Sequence, residues 1–354
     1  MAPATYPAVV QYALKPNAVE LREVAVPAIA DDEVLLEVGA VSVCGSDVHQ
    51  ARCTHSWPVD VPVVLGHEFG GTVAQAGRSV RGFREGDRVV SETAARICGE
   101  CLLCRTGRYN LCPDRKGFGY GIDGAMARWV RVPARCLHRI PDSLPFDVAC
   151  LAEPHAVAYH AMCVNSSIRP GDFVVVLGPG PIGLLCARMA ALSGADPLIV
   201  AGLSVDATRL EAARLLGATR TVDVQTENIE EIVREYAGIG ADLVCDASGA
   251  SGPLEVALRL ARPDGQVTKV GWSPDTIPLD VNPLVQRNLR LQGSFSHNYP
   301  VWERVIHLLD RGLTLPHTII GLRAPLEEWR EAFDAMHEGR VIKSVLVPSQ
   351  AASV

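Results

Sequence analysis

The 354-residue sequence lacks any apolar run of the roughly 20 residues that a membrane-spanning helix needs. It also lacks a fixed-period repeat and a low-complexity tract, and we do not expect the first residues, MAPATYPAVV, to act as a basic-then-apolar leader. Positive charge is scarce, because 33 Lys and Arg face 40 Asp and Glu and leave a net charge of −7. These absences argue against a membrane protein and against nucleic acid or an anionic membrane as partner. We expect a soluble, cytoplasmic protein.

Cysteine, in contrast, is plentiful: the chain has 11, and four of them follow the spacing Cys98-x2-Cys101-x2-Cys104-x7-Cys112. In a cytosolic chain this usage favours metal ligation and buried thiols over a disulfide framework. Four thiolates can complete a tetrahedral shell around Zn²⁺ and leave no position for substrate. The spacing therefore predicts a structural zinc lobe over residues 95–114. An iron centre is the alternative for the same soft ligands, but no other feature of the sequence calls for electron transfer.

A glycine-rich turn, LGPGPIG, follows the apolar run 173–177 and precedes the periodic stretch 182–193. Its G-x-G-x-x-G pattern allows a tight bend, close approach of the backbone to a pyrophosphate, and packing of the helix on the strand. The N-terminus of the helix then offers free N–H groups to phosphates. The predicted cofactor-binding turn consists of Gly178, Gly180, Pro181, Ile182 and Gly183.

Strands and helices alternate in the middle of the chain, from residue 171 to about residue 295. The predicted strands cover residues 173–177, 198–201, 219–224, 242–246, 266–270 and 289–295. The predicted helices cover residues 182–193, 207–216, 228–237 and 253–262. Such alternation implies a parallel, doubly wound sheet that binds its ligand at the carboxyl ends of the strands. Short strands precede this region, so the fold class is α/β with a second, β-rich domain.

Three motifs occur in order along the chain: GHEFGGTV from Gly66, the cysteine cluster from Cys98, and GPGPIG from Gly178. Together they resemble the zinc-containing medium-chain dehydrogenase/reductase family over nearly the whole chain. The resemblance implies an N-terminal GroES-like β domain that the C-terminal segment completes, with a Rossmann domain between. We place the GroES-like catalytic domain at residues 1–156 and 296–354, and the Rossmann dinucleotide-binding domain at residues 157–295.

The resemblance also implies a second, catalytic zinc. Cys44 and His67 match the family's zinc ligands, and Glu68 matches a glutamate that is either a ligand or the partner of one. Glu153 falls where alcohol dehydrogenases have a third ligand cysteine and where the polyol dehydrogenase branch has a glutamate. Which of the two glutamates binds zinc directly stays open. Taken alone, these residues also suit a buried thiol, a core histidine beside a solvated glutamate, and a helix-dipole partner.

A Cys, His and carboxylate set leaves a coordination position for an alcohol, unlike four thiolates. In the family, Ser46 matches the hydroxyl that accepts the substrate proton, and His49 matches the histidine that ends this relay. The resemblance thus implies a zinc-dependent, NAD(P)-dependent alcohol or polyol dehydrogenase. Its reaction would be hydride transfer between NAD(P) and a secondary alcohol of a polyol, cyclitol or related sugar alcohol.

The choice between NAD and NADP depends on the end of the second Rossmann strand. NAD-preferring relatives have an acidic residue there that binds the ribose hydroxyls, and this position falls at Gly202. Asp206 could reach back from farther along the chain, whereas Ser204 and Arg209 could hold a 2′-phosphate. We therefore expect two zinc ions per chain and NAD or NADP, with a slight preference for NADP.

The sorbitol dehydrogenase branch resembles this chain in the glutamate at position 153, but two of its polyol-contacting positions carry Gln50 and Ser296 here. The resemblance therefore does not point to sorbitol itself. We expect the substrate pocket to be lined by Gln50, Phe118, Ser296 and His297. A threonine-type amino-alcohol dehydrogenase is the enzymatic alternative, and a non-catalytic nucleotide-binding or redox-sensing protein is the alternative of another class. The family also implies a homo-oligomer, either a dimer or a tetramer.

Overall fold

The computed structural model describes residues 5–349, and the chain forms two compact units. Unit 1 consists of Met1–Glu153 and His297–Val354, and unit 2 consists of Pro154–Ser296. The chain therefore leaves unit 1 after Glu153 and re-enters it at His297. The domain boundaries drawn on the sequence lie after residues 156 and 295, whereas the compact units divide after residues 153 and 296.

The elements are numbered along the chain. The strands are β1 (Thr5–Gln11), β2 (Val19–Ala25), β3 (Glu33–Ser42), β4 (Val63–Val64), β5 (Glu68–Ala76), β6 (Arg88–Ser91), β7 (Trp129–Pro133), β8 (Leu137–Arg139), β9 (Val174–Leu177), β10 (Leu198–Gly202), β11 (Arg220–Asp223), β12 (Ala241–Asp246), β13 (Ala261–Lys269), β14 (Arg290–Gly293), β15 (Ile320–Pro325) and β16 (Lys343–Val347). The α-helices are α1 (Gly45–Ala51), α2 (Leu102–Arg105), α3 (Phe146–Ala149), α4 (Ala152–Tyr159), α5 (Pro181–Leu192), α6 (Ala207–Leu215), α7 (Ile229–Tyr236), α8 (Pro253–Leu260), α9 (Asn282–Gln286), α10 (Tyr299–Asp310) and α11 (Trp329–His337). Among residues 5–349, no helix is both long and apolar enough to cross a membrane.

Unit 1 is organised around β3, which pairs antiparallel with β5, β7 and β16. The seven-stranded sheet has the order β15-β16-β3-β5-β6-β8, with β7 also on β3, and a three-stranded sheet has the order β2-β1-β4. Apolar side chains of β3 and β5, such as Leu36 and Phe69, are buried in one core with Trp329 and Phe333 of α11. Because β16 comes from the end of the chain, the C-terminal segment completes this unit.

Unit 2 is a six-stranded parallel sheet with the order β11-β10-β9-β12-β13-β14. This confirms the parallel, doubly wound sheet predicted from the sequence. Every residue of β9 and β10 is buried, as expected for strands covered by helices on both faces. The strand order reverses beside β9, so the switch point lies at the end of β9, where the glycine-rich turn begins.

Candidate active site

Helix α1 positions the first candidate ligand. Cys44 is the residue before the helix, and its backbone N–H donates to Oδ2 of Asp47 at 2.9 Å. A carboxylate in the first turn satisfies an otherwise unpaired helix N–H group and favours the helix dipole. Asp47 is itself buried, so the start of the helix and the Cys44 side chain are held in one place.

A left-handed turn positions the second ligand. Gly66 has φ +93°, and a Cβ at this residue would lie 2.7 Å from Cγ of Met126, so the turn requires glycine. Strand β5 begins only at Glu68, which leaves His67 outside the regular alternation of the strand. On a regular strand adjacent side chains point to opposite faces, and the turn removes that restriction.

As a result, one ligand atom from each of Cys44, His67 and Glu68 lies within 4.8 Å of the other two. Nδ1 of His67 is buried and lies 3.4 Å from Oδ1 of Asp47, without a well-aligned hydrogen bond. A thiol, an imidazole and a carboxylate that converge at a partly buried point form a donor set typical of catalytic Zn²⁺. The residues present therefore fit a zinc ion.

The charges around this cluster are strongly coupled. Burial alone would lower the pKa of His67, but the charges of Asp47 and Cys44 outweigh it and raise this pKa well above its ordinary value. Burial raises the pKa of Glu68, and the neighbouring charge of Glu153 acts in the same direction. The charge of Lys343 opposes both effects on Glu68. A divalent cation bound here would add positive charge next to these carboxylates.

Lys343, at the start of β16, is a residue of this site that the sequence analysis missed. Its Nζ lies 2.7 Å from Oε1 and 2.5 Å from Oε2 of Glu68, and Ser42 also donates to Oε2. Lys343 and Glu68 are 1% and 0% exposed. The sequence did contain a signal for this residue, because Lys343 lies inside the apolar run VIKSVLV. A lysine in such a run is expected to be buried, and a lysine is almost never fully buried unless it is paired.

Glu153 is buried but does not belong to the group of ligand atoms within 4.8 Å of one another. Its Oε1 lies 3.0 Å from Nε2 of His297, and Nε1 of Trp302 donates to Nδ1 of His297 at 2.7 Å. Burial would raise the pKa of Glu153, but the hydrogen bond from His297 and the neighbouring positive charges outweigh it and lower this pKa. The charge of His67 contributes in the same direction, so Glu153 lies near the cluster.

The predicted relay residues share one helix. Ser46 and His49 lie three positions apart on α1, which places them on one face. Oγ of Ser46 is 3.4 Å from Nε2 of His67, so this hydroxyl lies beside the candidate metal ligands. Nδ1 of His49 is 2.9 Å from Oγ1 of Thr54.

The four residues expected to line a substrate pocket each contact a different part of the structure. Nε2 of Gln50 donates to the carbonyl oxygen of Gly119 at 2.8 Å, and Phe118 is fully buried against Phe69. Ser296 belongs to unit 2, and its carbonyl oxygen lies 2.7 Å from Nδ1 of His160. His297 contacts Glu153, as described above.

The cysteine lobe has the geometry of a closed zinc site. The four Sγ atoms of Cys98, Cys101, Cys104 and Cys112 lie within 4.8 Å of one another. Sγ of Cys98 is 3.9 Å from that of Cys104 and 3.6 Å from that of Cys112. In a tetrahedral site with Zn–S distances of about 2.3 Å, sulfur atoms are about 3.8 Å apart. Hydrogen bonds from the backbone N–H groups of Cys101 and Glu100 lower the pKa of Cys98 to about 7, which favours the thiolate.

In unit 2, a cavity of about 1110 Å³ opens beside the glycine-rich turn. Gly178, Gly180, Gly202 and Arg209 line it, and α5 starts with Pro181. Gly178 has φ +93°, and a Cβ on Gly183 would collide with the Gly178 carbonyl oxygen, so both positions require glycine. The turn therefore brings backbone N–H groups to the end of β9 without side chains in the way.

The residues considered for a 2′-phosphate are engaged with carboxylates. Nη1 of Arg209 lies 2.9 Å from Oδ1 of Asp206, whose other oxygen accepts the backbone N–H of Leu203. The Ser204 hydroxyl donates to Oδ2 of Asp223 at 2.6 Å. Asp223, at the end of β11, is a carboxylate that the sequence analysis did not consider here.

The chain is similar to known proteins both in sequence and in fold. The family described as alcohol dehydrogenase GroES-like domain matches residues 30–142, and the family described as zinc-binding dehydrogenase matches residues 181–311. D-arabitol-phosphate dehydrogenase of Enterococcus avium is 40% identical over 92% of this chain and 92% of its own length. Sorbitol dehydrogenase of Halalkalibacterium halodurans is 38% identical over 91% of this chain and 93% of its own length.

A similar solved structure comes from Sinorhizobium meliloti 1021. That protein carries the provisional description zinc-binding dehydrogenase and was crystallised with NADP. The TM-score is 0.89 at 30% sequence identity, and the match covers 98% of this chain and 100% of the other. The match extends over both units.

Proposed function

The chain belongs to the zinc-containing medium-chain dehydrogenase/reductase family, and on this premise we propose that it is a dehydrogenase of a polyol-like secondary alcohol. The reaction is hydride transfer between NAD(P) and a polyol, cyclitol or related sugar alcohol. The family and the α/β fold with GroES-like and Rossmann domains, both predicted from the sequence, are confirmed. The observation that carries the proposal is the convergence of the Cys44, His67 and Glu68 ligand atoms within 4.8 Å.

In this proposal Cys44 and His67 hold the catalytic zinc, and Glu68 or Glu153 supplies the carboxylate. When bound, zinc supplies the Lewis acidity that favours loss of the substrate's hydroxyl proton near neutral pH. Ser46 accepts that proton, since its Oγ lies next to His67, and His49 on the same face of α1 passes a proton towards solvent. The glycine-rich turn binds the cofactor pyrophosphate through its backbone N–H groups. The cysteine lobe holds a second, structural zinc.

The substrate class follows from the relatives. The two relatives described above are named for D-arabitol phosphate, the phosphate ester of a sugar alcohol, and for sorbitol, a sugar alcohol. We extend this chemistry to the present chain and include a polyol phosphate among its candidate substrates.

For the cofactor we favour NADP, because Arg209 lines the cavity and could exchange Asp206 for a 2′-phosphate.

We also propose a cytoplasmic homo-oligomer, either a dimer or a tetramer. No disulfide joins any of the 11 cysteines, which all lie among the described residues, and this supports a reducing compartment. Strand β14 forms an edge of the parallel sheet, and each of its residues is exposed. Val281 and Val285, close to this edge in sequence, are exposed apolar residues. A sheet edge flanked by apolar surface suits pairing with a second copy.

The experiment is a matrix of NAD⁺ and NADP⁺ against polyols, polyol phosphates, cyclitols and L-threonine, with reduced cofactor followed at 340 nm. Oxidation of at least one sugar alcohol supports the proposed substrate class. Oxidation of threonine alone would instead establish the amino-alcohol dehydrogenase. Metal analysis of the same protein separates enzyme from binding module: we expect two zinc ions per chain, one for each candidate ligand group. A single zinc ion and no oxidation of any substrate would contradict the proposal.

A further inference from the structure

Glu153 receives its hydrogen bond from a distant part of the chain. His297 is 144 residues away in sequence, yet its Nε2 lies 3.0 Å from Oε1 of Glu153. The two residues stand at the points where the chain leaves and re-enters unit 1. A side chain of the returning segment therefore contacts the carboxylate.

His297 is in turn held by Trp302, the fourth residue of α10. The indole Nε1–H of Trp302 donates to Nδ1 of His297 at 2.7 Å. An indole N–H can only donate, so Nδ1 must be the acceptor and the ring proton must lie on Nε2. That proton is the one directed at Glu153. Trp302 thus selects the tautomer of His297 that can donate to the carboxylate.

The indole itself has little freedom to move. Trp302 is 0% exposed, and its ring stacks on His138 with a centroid distance of 5.4 Å and an interplanar angle of 9°. The two nitrogens of His138 lie 3.2 Å from Oε1 of Glu92 and 2.6 Å from Oε1 of Glu303. A ring fixed on one face and hydrogen-bonded at its edge keeps the donor direction constant.

We propose that His297 and Trp302 are positioning residues, which hold Glu153 in the orientation that the catalytic metal site needs. The inference rests on the proposed function only in taking Glu153 as part of that site. Imidazole–carboxylate contacts of this kind orient the groups around a metal, and their loss lowers metal affinity or activity about 10- to 100-fold.

The test uses Trp302→Phe, which keeps an aromatic ring against His138 but removes the N–H donor. Trp329→Phe is the matched control, because Trp329 is also buried in unit 1 and packs edge-to-face on Phe333. The first measurement is the ¹⁵N spectrum of the histidine side chains in the metal-free protein at constant pH, with His297 assigned from its loss in His297→Leu. We expect the Nε2–H tautomer in the wild type and in the control, and a mixture of tautomers in Trp302→Phe. An unchanged tautomer in Trp302→Phe would overturn the role of the indole.

The second measurement is the release of zinc from the catalytic site into a chelator. We expect release about 10- to 100-fold faster in His297→Leu and Trp302→Phe, and a rate near that of the wild type in His297→Gln, whose amide retains a donor. Equal zinc loss in His297→Gln and His297→Leu would refute the donor role, and wild-type retention in His297→Leu would refute any positioning role. Neither readout needs turnover. A protein that oxidises no alcohol but shows these changes would contradict the proposed function while supporting the positioning role.

Discussion

Replacement of Lys343 by methionine should destabilise the metal-free protein through the charge that it leaves behind. Glu68 is 0% exposed, and Lys343 contacts both of its carboxylate oxygens, at 2.7 and 2.5 Å. Methionine fills a similar space without the ammonium group. Removal of one partner of a buried ion pair costs about 3–5 kcal/mol, because the remaining charge is uncompensated.

The free-energy cost of protonating Glu68 instead is of a similar size. Without Lys343, Glu68 can become neutral by binding a proton, and a carboxyl with an ordinary pKa of about 4.3 does so at pH 7 at a cost of about 3.7 kcal/mol. At pH 5 the same step costs only about 1 kcal/mol. Burial raises the pKa of Glu68 in the folded state, so the protonated form contributes stability at low pH that is lost as pH rises. The penalty of Lys343→Met should therefore shrink as pH falls from 7 to 5.

The assay is urea unfolding of the metal-free protein, followed by tryptophan fluorescence at both pH values. Four of the five tryptophans, Trp57, Trp129, Trp302 and Trp329, belong to unit 1, which contains the ion pair. The control is Arg340→Met, since Arg340 lies 2.7 Å from Glu331 in a pair whose side chains are 47% and 56% exposed. An exposed pair contributes about 0–1 kcal/mol.

The double variant Lys343→Met/Glu68→Gln removes both charges and should recover most of the lost stability. Added zinc should also reduce the penalty of Lys343→Met, because a divalent cation can neutralise Glu68. The reasoning is refuted if Lys343→Met costs no more than Arg340→Met at pH 7, or if its cost is the same at pH 5.

Three further predictions concern the cysteine lobe, the relay and the glycine-rich turn. Cys98→Ala should lower the zinc content by one ion per chain and the thermal midpoint of unit 1, because it opens a closed four-thiolate site; a variant that melts like the wild type would contradict the structural zinc. Ser46→Ala should keep zinc and fold but slow alcohol oxidation by about 10²-fold or more, and unchanged kinetics over the pH range would exclude Ser46 from proton transfer. Gly183→Ala should weaken NAD(P) binding in a titration, because its Cβ collides with the Gly178 carbonyl oxygen, whereas Gly238→Ala, outside the cavity lining and with no atom within 4 Å of its Cβ, is the tolerated control.

Local patterns in the sequence were sufficient to predict those parts of the structure in which the interacting groups lie close along the chain. The four cysteines of the lobe fall within residues 98–112, and their spacing alone indicated the cluster that the structure contains. The glycine-rich turn and the alternation of strands and helices likewise depend on neighbouring residues, and unit 2 follows them. The catalytic ligands Cys44 and His67 needed the family resemblance as well, because nothing local joins them. The roles assigned to the site residues remain predictions.

Tertiary structure alone decided the partners of the two buried glutamates. Lys343 reaches Glu68 across 275 residues and His297 reaches Glu153 across 144, because β16 and the segment just before α10 belong to unit 1 and follow the whole of unit 2. Neither pair leaves a periodic signal, since a single side chain in each segment makes the contact. The physical reason is the cost of burying a charge: each carboxylate must find a donor inside the core, and only the folded path of the chain determines which donor is within reach.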